Sequence, residues 1–355
     1  MLYHSGVGRR SGVALALLLA NALTAAAPVD AGRPPDRLER FRDLARHRLG
    51  ALQLDATARS AEDEAEIYAV LDDEIVENVA SGGLFASAGF LQHRLDGFAE
   101  AWGGAAFRVL RLGRLAVVAF SLGEAGLNSV RVYGQVGGEA ALLAAVRRPG
   151  RPALHALPLT SQGPTRFLVA WEGASSGRGT RELRLELMRV RGDEIAVDWT
   201  TAGLFPDGLL ARAYRVRGGE AVIRYELHYP GWTPGCEGQT EQEDVYRFVP
   251  ERGTLVRASR RQYNEWHLGL HQAVDRLMAA VASGDRGTLN ALIPDPRLRA
   301  TLPSRLDRDA VCDARDGSGG PVSVAAVGDA GRPWTLTFLP AGSRWRLTAA
   351  NPLLP

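Results

Sequence analysis

Two histidines four residues apart are the side chains of this sequence best spaced for chemistry. His267 and His271 lie in a stretch with helical periodicity, and residues at positions i and i+4 share one face of a helix. Two imidazoles in that arrangement can bind zinc when a third ligand is near. The neighbouring candidates for that ligand are His228, Glu237 and Glu241. The pattern predicts a zinc site at His267, His271 and Glu237, as a metal-assisted hydrolase would need.

The same helix also allows a non-catalytic interpretation. In zinc proteases with two histidines at this spacing, a glutamate follows the first histidine and acts as the general base. Leu268 occupies that position here. The alternative is that the two histidines flank the apolar stripe of the helix and that one is hydrogen-bonded to the neighbouring sheet. We therefore expect no cofactor, with zinc as the alternative.

Trp232 is the best candidate for a ligand-binding side chain. It stands between two Pro-Gly turns, at residues 230–231 and 234–235, and His228 comes just before them. Sites for small ligands are lined by aromatic side chains together with a few well-placed polar groups. Trp232 and His228 are therefore the predicted ligand-binding pair. The alternative is a tryptophan that packs beneath its own loop.

Two further patterns lack the context that their chemistry requires. Residues 173–177 read Gly-Ala-Ser-Ser-Gly and match the serine hydrolase motif G-x-S-x-G. That motif must be followed by a helix, whereas this sequence continues into another strand. The acidic run at residues 237–244 does not have the spacing of a calcium loop. We interpret the first pattern as a hairpin and the second as a solvated loop.

The two cysteines, Cys236 and Cys312, predict a single disulfide. Two cysteines in a chain exported to an oxidising compartment usually pair. The bond would tie the Pro-Gly turn to the C-terminal part of the chain. The alternative is two separate buried thiols. A redox role is not indicated because there is no C-x-x-C motif.

The composition is that of an ordinary globular protein. The chain has 355 residues, of which 46% are hydrophobic and 23% charged, enough for two modest domains or one large one. The net charge is +2, and removal of Arg9 and Arg10 with a leader gives +2 − 2 = 0. A neutral chain has no basic footprint for nucleic acid or an anionic membrane. The sequence contains no lysine, so lysine Schiff-base chemistry is excluded.

The first 27 residues have the order of a secretory signal peptide. Arg9 and Arg10 form a charged region, residues 13–20 are apolar, and residues 23–27 supply the small residues that signal peptidase requires. We expect cleavage after residue 26 or 27 and a periplasmic or extracellular protein with no membrane span in the mature chain. A cysteine is absent near the cleavage region, which excludes a lipoprotein. The alternative is an uncleaved N-terminal anchor.

Periodicity divides the remaining chain into three parts. Residues 28–104 show apolar side chains at helical spacing, and residues 105–263 alternate with the period of strands, most clearly at residues 182–187. Residues 264–355 contain helices followed by three short strands. The predicted fold is α+β, with N-terminal helices, an antiparallel β-rich middle arranged as a sandwich or up-and-down sheet, and a small α+β C-terminal part.

The C-terminal quarter resembles a known family. A long helix is followed by Gly284 and Asp285, a short helix with apolar Leu289 and Leu292, and three strands. This order is similar to the cone-shaped α+β fold of nuclear transport factor and the SnoaL-like cyclases. The resemblance implies a scaffold with a pocket that is as often non-catalytic as enzymatic.

Together these features predict an exported bacterial protein of the envelope or the medium. Its most plausible function is non-catalytic binding of a ligand or an envelope partner. The alternative is the metal-assisted hydrolase described above.

Overall fold

The computed structural model describes five stretches of the chain, residues 36–52, 61–123, 128–158, 163–315 and 319–353. The side chains of residues 48–52 and 61–64 are outside this description, as are the predicted signal residues 1–27. Helices come first, an antiparallel β-rich middle follows, and a small α+β part closes the chain. The predicted fold class is therefore confirmed. Within the described ranges, no helix combines the length and apolar character needed to cross a bilayer.

Three helices form the first layer of the molecule: α1 (Arg37–Leu52), α2 (Ala61–Ser81) and α3 (Ala88–Trp102). The Ser87 side chain caps α3 by accepting the backbone N–H of Phe90 at 3.3 Å, and the helix ends at Gly103, whose φ is +74°. The helices pack their apolar faces on the first sheet. The fully buried members of this core include Phe41, Leu71, Ile75, Leu95, Phe98 and Phe120.

In the described part of residues 106–263, twelve strands form three successive antiparallel meanders of four strands each. The first meander comprises β1 (Ala106–Leu112), β2 (Leu115–Ser121), β3 (Ser129–Val136) and β4 (Glu139–Arg147). The second comprises β5 (Arg151–Ala156), β6 (Thr165–Ser175), β7 (Arg181–Arg191) and β8 (Glu194–Thr200). The third comprises β9 (Leu210–Arg217), β10 (Glu220–Glu226), β11 (Glu241–Val249) and β12 (Thr254–Tyr263).

The second and third meanders share one eight-stranded sheet that turns a corner. β7 pairs with β9 through only two residue pairs, Arg181 with Ala211 and Glu182 with Leu210. Because so few bonds join them, the third meander can fold over the second instead of continuing its plane. The β-rich middle, predicted as a sandwich or an up-and-down sheet, therefore consists of stacked meanders.

Strand β6 shows how the stack is held. Phe167 and Val169 face the first meander, whereas Leu168 and Ala170 face the third, and all four are fully buried. Side chains of a strand alternate between its faces, so a strand covered on both sides reads as a continuous apolar run. Residues 167–171, Phe-Leu-Val-Ala-Trp, are such a run.

The C-terminal part packs one long helix on a small sheet. Its elements are α4 (Glu265–Ser283), α5 (Arg286–Leu292), α6 (Pro296–Thr301), β13 (Asp307–Arg308), β14 (Ala314–Arg315), β15 (Val322–Val327), β16 (Pro333–Ala341) and β17 (Arg344–Pro352). Gly284, with a φ of +71°, ends α4, and the Asp285 side chain caps α5 through the backbone N–H of Gly287. The core between helix and sheet includes Leu270, Val274, Leu277, Leu336, Phe338 and Leu347.

An interrupted edge strand gives this part its link to the β middle. β13 and β14 pair with the same edge of β15, and residues 309–313 bulge out between them. Cys312 lies in that bulge and forms a disulfide with Cys236, in the turn between β10 and β11, with a Cα–Cα distance of 5.3 Å. The predicted disulfide is confirmed.

The disulfide should contribute strongly to stability. It closes a loop with a sequence separation of 76, for which chain entropy predicts a contribution of about 4 kcal/mol. We expect the Cys236→Ser/Cys312→Ser variant to melt several degrees below the oxidised wild type in a calorimetric scan. Reduction should lower the melting temperature of the wild type and leave the variant unaffected. An unchanged melting temperature after complete reduction, verified by thiol titration, would contradict this role.

Candidate functional site

The two histidines lie together on the first turns of α4. Asn264 precedes the helix with a φ of +52°, which turns the chain sharply out of β12. His267 and His271 then point to one side, with ring centroids 4.5 Å apart, and are only 3% and 5% exposed. The side chains that the sequence singled out are therefore neighbours, and they are buried.

Asp313 joins the two rings. One of its carboxylate oxygens, Oδ2, lies 3.0 Å from Nε2 of His267 and 2.6 Å from Nε2 of His271. Its side chain is 6% exposed. Asp313 directly follows Cys312, so the disulfide places it. Sequence reasoning missed this residue, although its position next to a bridging cysteine was the signal that could have identified it.

Each ring has a second partner at its other nitrogen. The Tyr229 hydroxyl lies 2.5 Å from Nδ1 of His267 and also accepts the backbone N–H of Thr240 at 3.1 Å. The Arg308 guanidinium contacts Nδ1 of His271 and donates to the backbone carbonyl of His271 at 3.1 Å. Arg308 is held in turn by the carboxylate of Asp275.

These partners determine where the ring protons lie. A guanidinium can only donate, so Nδ1 of His271 must accept and Nε2 must carry the proton. The Tyr229 hydroxyl already accepts a hydrogen bond from Thr240, so it donates its own proton to Nδ1 of His267. Both rings then donate Nε2–H to Asp313. We call this closed group, His267, His271, Asp313, Tyr229 and Arg308, the histidine cluster.

The two rings also set the charge of Asp313. Burial raises the pKa of Asp313, but the hydrogen bonds from His267 and His271, together with their Coulombic attraction, outweigh it, and the net shift is downward. The carboxylate therefore stays charged and accepts both protons. Burial also raises the pKa of Tyr229, which favours its role as a hydroxyl donor.

The cluster has the residue types of a zinc site, but its hydrogen bonds compete with metal. His267, His271 and Asp313 have ligand atoms within 4.8 Å of one another. To bind zinc through Nε2, His271 would have to move its proton to Nδ1, where it would face the donor-only guanidinium of Arg308. The predicted ligand Glu237 is exposed and does not belong to this group. The zinc site remains a prediction.

The Pro-Gly turn between β10 and β11 covers the cluster. Gly231 has a φ of +90°, and a Cβ at this position would lie far closer than 3.0 Å to the His271 ring and the Arg308 guanidinium. Only glycine lets the backbone rest on the rings in this way. The cluster is closed from this side.

The other side of the same turn borders an open cleft of about 480 Å³. We call it the tryptophan cleft, because Trp232 is its largest side chain. The His228 ring stacks on Trp232 with a centroid distance of 3.9 Å. The predicted pair is thus in contact, with Trp232 on the cleft surface. The polar and charged residues that line the cleft are Arg178, Arg212, Glu226, Glu237, Gln239, Thr240, Glu241 and Asn264.

Hydrogen bonds fix one side of the cleft, which we call its wall, and an ion pair lies at its base, which we call its floor. In the wall, the Gln239 amide accepts the backbone N–H of Thr233 at 2.7 Å and donates to the carbonyls of Thr233 at 2.7 Å and Cys236 at 3.1 Å. On the floor, Arg212 forms an ion pair with Glu241 at 2.6 Å. Disulfide and amide together hold the turn in one conformation.

The acidic run is not a solvated loop, contrary to the sequence prediction. β11 begins at Glu241, and Asp244 is fully buried. Arg260 binds Asp244 with two hydrogen bonds of 2.8 and 2.9 Å, and the Tyr225 hydroxyl donates to it at 3.0 Å. Burial, followed by the nearby Asp244 charge, raises the pKa of Tyr225 to about 12. The sequence did not show that Asp244 would be paired, because its partner Arg260 lies on the neighbouring strand β12.

The motif G-x-S-x-G also has a structural explanation. β6 ends at Ser175 and the antiparallel strand β7 begins at Arg181, so the motif leads into a hairpin. The Ser176 hydroxyl is hydrogen-bonded to Thr180 across that turn at 2.8 Å. The serine of the pattern is Ser175, and the neighbouring Ser176 stabilises the turn.

Comparison with known proteins identifies no family. No protein-family model matches the sequence, and no curated protein matches it. Among solved structures, a lectin from Aleuria aurantia in complex with alpha-methyl-L-fucoside aligns with 70% of this chain and 62% of its own, at 11% identity and a TM-score of 0.20. This chain thus covers less than two thirds of the lectin.

Two further solved structures align at a similar level. A protein from Lactobacillus plantarum aligns with 68% of this chain and 69% of its own, at 12% identity and a TM-score of 0.19. A 6-phosphogluconolactonase candidate from Bacteroides fragilis aligns with 69% of both chains, at 10% identity and a TM-score of 0.18. Likeness at this level carries no functional argument.

The expected resemblance of the C-terminal quarter to nuclear transport factor and the SnoaL-like cyclases is wrong. The solved structures that align are described as a lectin and a 6-phosphogluconolactonase candidate, not as a nuclear transport factor or a SnoaL-like cyclase. The sequence pattern around Gly284 and Asp285 predicts the order of elements but not how a sheet wraps around a helix. A cone requires a broad sheet, whereas β13 and β14 contribute two residues each.

The shifted pKa of Asp313 predicts a pH-dependent stability. Asp313→Asn should lower the free energy of unfolding by about 2 kcal/mol near neutral pH, because the imidazole donors lose a charged acceptor. The folded-state pKa lies below that of the unfolded chain, so the contribution is complete above about pH 4 and is lost as the pH falls through the folded-state value.

Urea unfolding at a series of pH values would measure this difference. Asp207→Asn is the matched control, since Asp207 is exposed in a turn. The free energy of unfolding of Asp207→Asn should stay within about 0.5 kcal/mol of the wild-type value. A difference for Asp313→Asn that does not shrink below pH 4 would contradict the assignment.

Proposed function

We propose that the protein is an exported, non-catalytic bacterial protein that binds a small polar ligand in the tryptophan cleft. The observation that carries this proposal is the contrast between the two sides of one turn. On one side the histidine cluster is buried and each ring nitrogen has a partner. On the other side Trp232 and several charged groups line an open cleft of about 480 Å³.

The wall of the cleft supports binding. Cys236 lines the cleft and is fixed by its bond to Cys312, and Gln239 bridges the backbone of the same turn. A site held in its bound conformation loses less entropy when the ligand arrives. The size also suits a small molecule, because ligand sites commonly fall between about 300 and 1,000 Å³.

The types of residue in the cleft favour binding over catalysis. The hydroxyl of Thr240, which lines the cleft, donates to the carbonyl of Asn264 at 2.7 Å and accepts the N–H of Leu268 at 3.0 Å. This hydroxyl is therefore engaged in structural hydrogen bonds. Cys236 is in a disulfide. An activated nucleophile needs a base within hydrogen-bond reach, and His267 and His271 are buried in the histidine cluster on the far side of the turn.

Export is supported by the disulfide and by the order of the first 27 residues. Disulfides persist in oxidising compartments, and the cysteine pair Cys236–Cys312 is bonded. We expect the mature protein in the periplasm or outside the cell, without its signal peptide. N-terminal sequencing of that fraction should begin at Ala27 or Pro28. An intact N-terminus at Met1 in cytosolic protein would contradict export.

A ligand screen tests the binding function. The oxidised protein should show a ligand-dependent rise in melting temperature against a library of amino acids, saccharides, nucleotides and organic acids, because a ligand that binds only the folded state stabilises it. Trp232→Ala should abolish the rise. The matched control Trp334→Ala removes a tryptophan of the C-terminal core and should retain it, with a lower starting temperature. A rise that persists in Trp232→Ala would place binding elsewhere and contradict the proposal.

A further inference from the structure

Two charged side chains of the tryptophan cleft have no ionic partner within the described part of the chain. They are the guanidinium of Arg178 and the carboxylate of Glu237, and both are exposed. The other charged groups differ: Arg212 pairs with Glu241 at 2.6 Å and lies 3.8 Å from Glu226. The cleft therefore presents one open positive and one open negative group.

The turn is shaped to hold Arg178 at the cleft. Gly235 has a φ of +92°, and a Cβ at that position would overlap the Arg178 guanidinium. The absence of a side chain lets the guanidinium lie directly on the turn. The backbone carbonyl of Arg178 also accepts Nη1 of Arg212 at 3.3 Å. Arg178 thus packs directly on the turn, and no acid in the described residues neutralises it.

Glu237 lies on the disulfide-linked segment of the wall. It follows Cys236 directly, and Gln239 binds the carbonyl of Cys236 at 3.1 Å. These contacts fix the backbone just before Glu237, while its carboxylate stays exposed. A fixed backbone restricts the positions of the Glu237 carboxylate, so less conformational entropy is lost when a ligand binds to it.

From these features we propose that the tryptophan cleft binds a zwitterionic small molecule, a free amino acid with an aromatic or large apolar side chain. This inference rests on the proposed binding function. The ligand carboxylate would pair with Arg178 in a bidentate manner, its ammonium group with Glu237, and its side chain would pack on Trp232. His228, stacked on Trp232, holds the indole plane.

Charge balance selects this ligand class over others. A neutral saccharide would leave both Arg178 and Glu237 without an ionic partner, and a simple carboxylic acid would leave Glu237 facing a like charge. An amine would leave Arg178 unpaired. A zwitterion supplies both counter-charges and does not change the net charge of the cleft. Charge-assisted hydrogen bonds are about twice as strong as neutral ones, so matching both ends matters.

The test uses L-phenylalanine as the probe and two analogues that each lack one charge. Calorimetric titration of the oxidised full-length protein should show binding of L-phenylalanine. Binding of 3-phenylpropionate, without the ammonium group, and of phenethylamine, without the carboxylate, should each be weaker by about 10- to 100-fold, as expected for loss of one charged hydrogen-bonding group.

Two variants assign the charges to residues. Arg178→Gln should remove the preference for L-phenylalanine over phenethylamine and keep the preference over 3-phenylpropionate. Glu237→Gln should do the reverse. The matched controls are Arg191→Gln and Glu194→Gln, an exposed pair at the β7–β8 hairpin that does not line the cleft. They should bind all three compounds like the wild type.

The outcomes separate the ligand class from the binding function. Failure of L-phenylalanine to bind, or equal effects of both variants on all three compounds, would overturn the zwitterion proposal. If the library then yields a saccharide or nucleotide whose binding is lost in Trp232→Ala, the binding function stands and only the ligand class is wrong. If no compound binds in a Trp232-dependent way, the binding function falls as well.

Discussion

A single carboxylate connects three parts of this molecule. Asp313 accepts hydrogen bonds from His267 and His271 on α4, and these rings are bonded to Tyr229 near the β middle and to Arg308 on the edge of the C-terminal sheet. A buried carboxylate is costly unless donors surround it. The arrangement is stable only when all three parts are in place, so it favours one relative position of the β middle and the C-terminal part.

One short turn separates a closed polar cluster from an open polar cleft. Two of its glycines act in the same physical way on opposite sides. Gly231 lets the backbone rest on His271 and Arg308, and Gly235 lets it rest on the guanidinium of Arg178. The turn is therefore a partition between the two, with groups shielded from solvent on one side and groups open to solvent on the other.

The larger features of the fold could be predicted because they follow from the periodicity of short segments of the sequence. Alternation along residues 182–187 marks a half-buried strand, and the pair Cys236 and Cys312 leaves a single pairing within the chain. The partners of buried charges could not be predicted in this way. Asp313 lies 42 residues from His271, and Asp244 meets Arg260 only through strand register. Such contacts depend on tertiary geometry, which no short window of sequence contains.

The spacing of the cysteines also gives the molecule an order of assembly. A chain that emerges N-terminus first exposes Cys236 well before Cys312, since the two are separated by 76 residues, or about 4–15 s of synthesis at typical rates. Between the two, no other cysteine is present that could pair wrongly with the first. Covalent closure therefore has to wait for the bulge that carries Asp313. The later segment completes the partition that the earlier segment began.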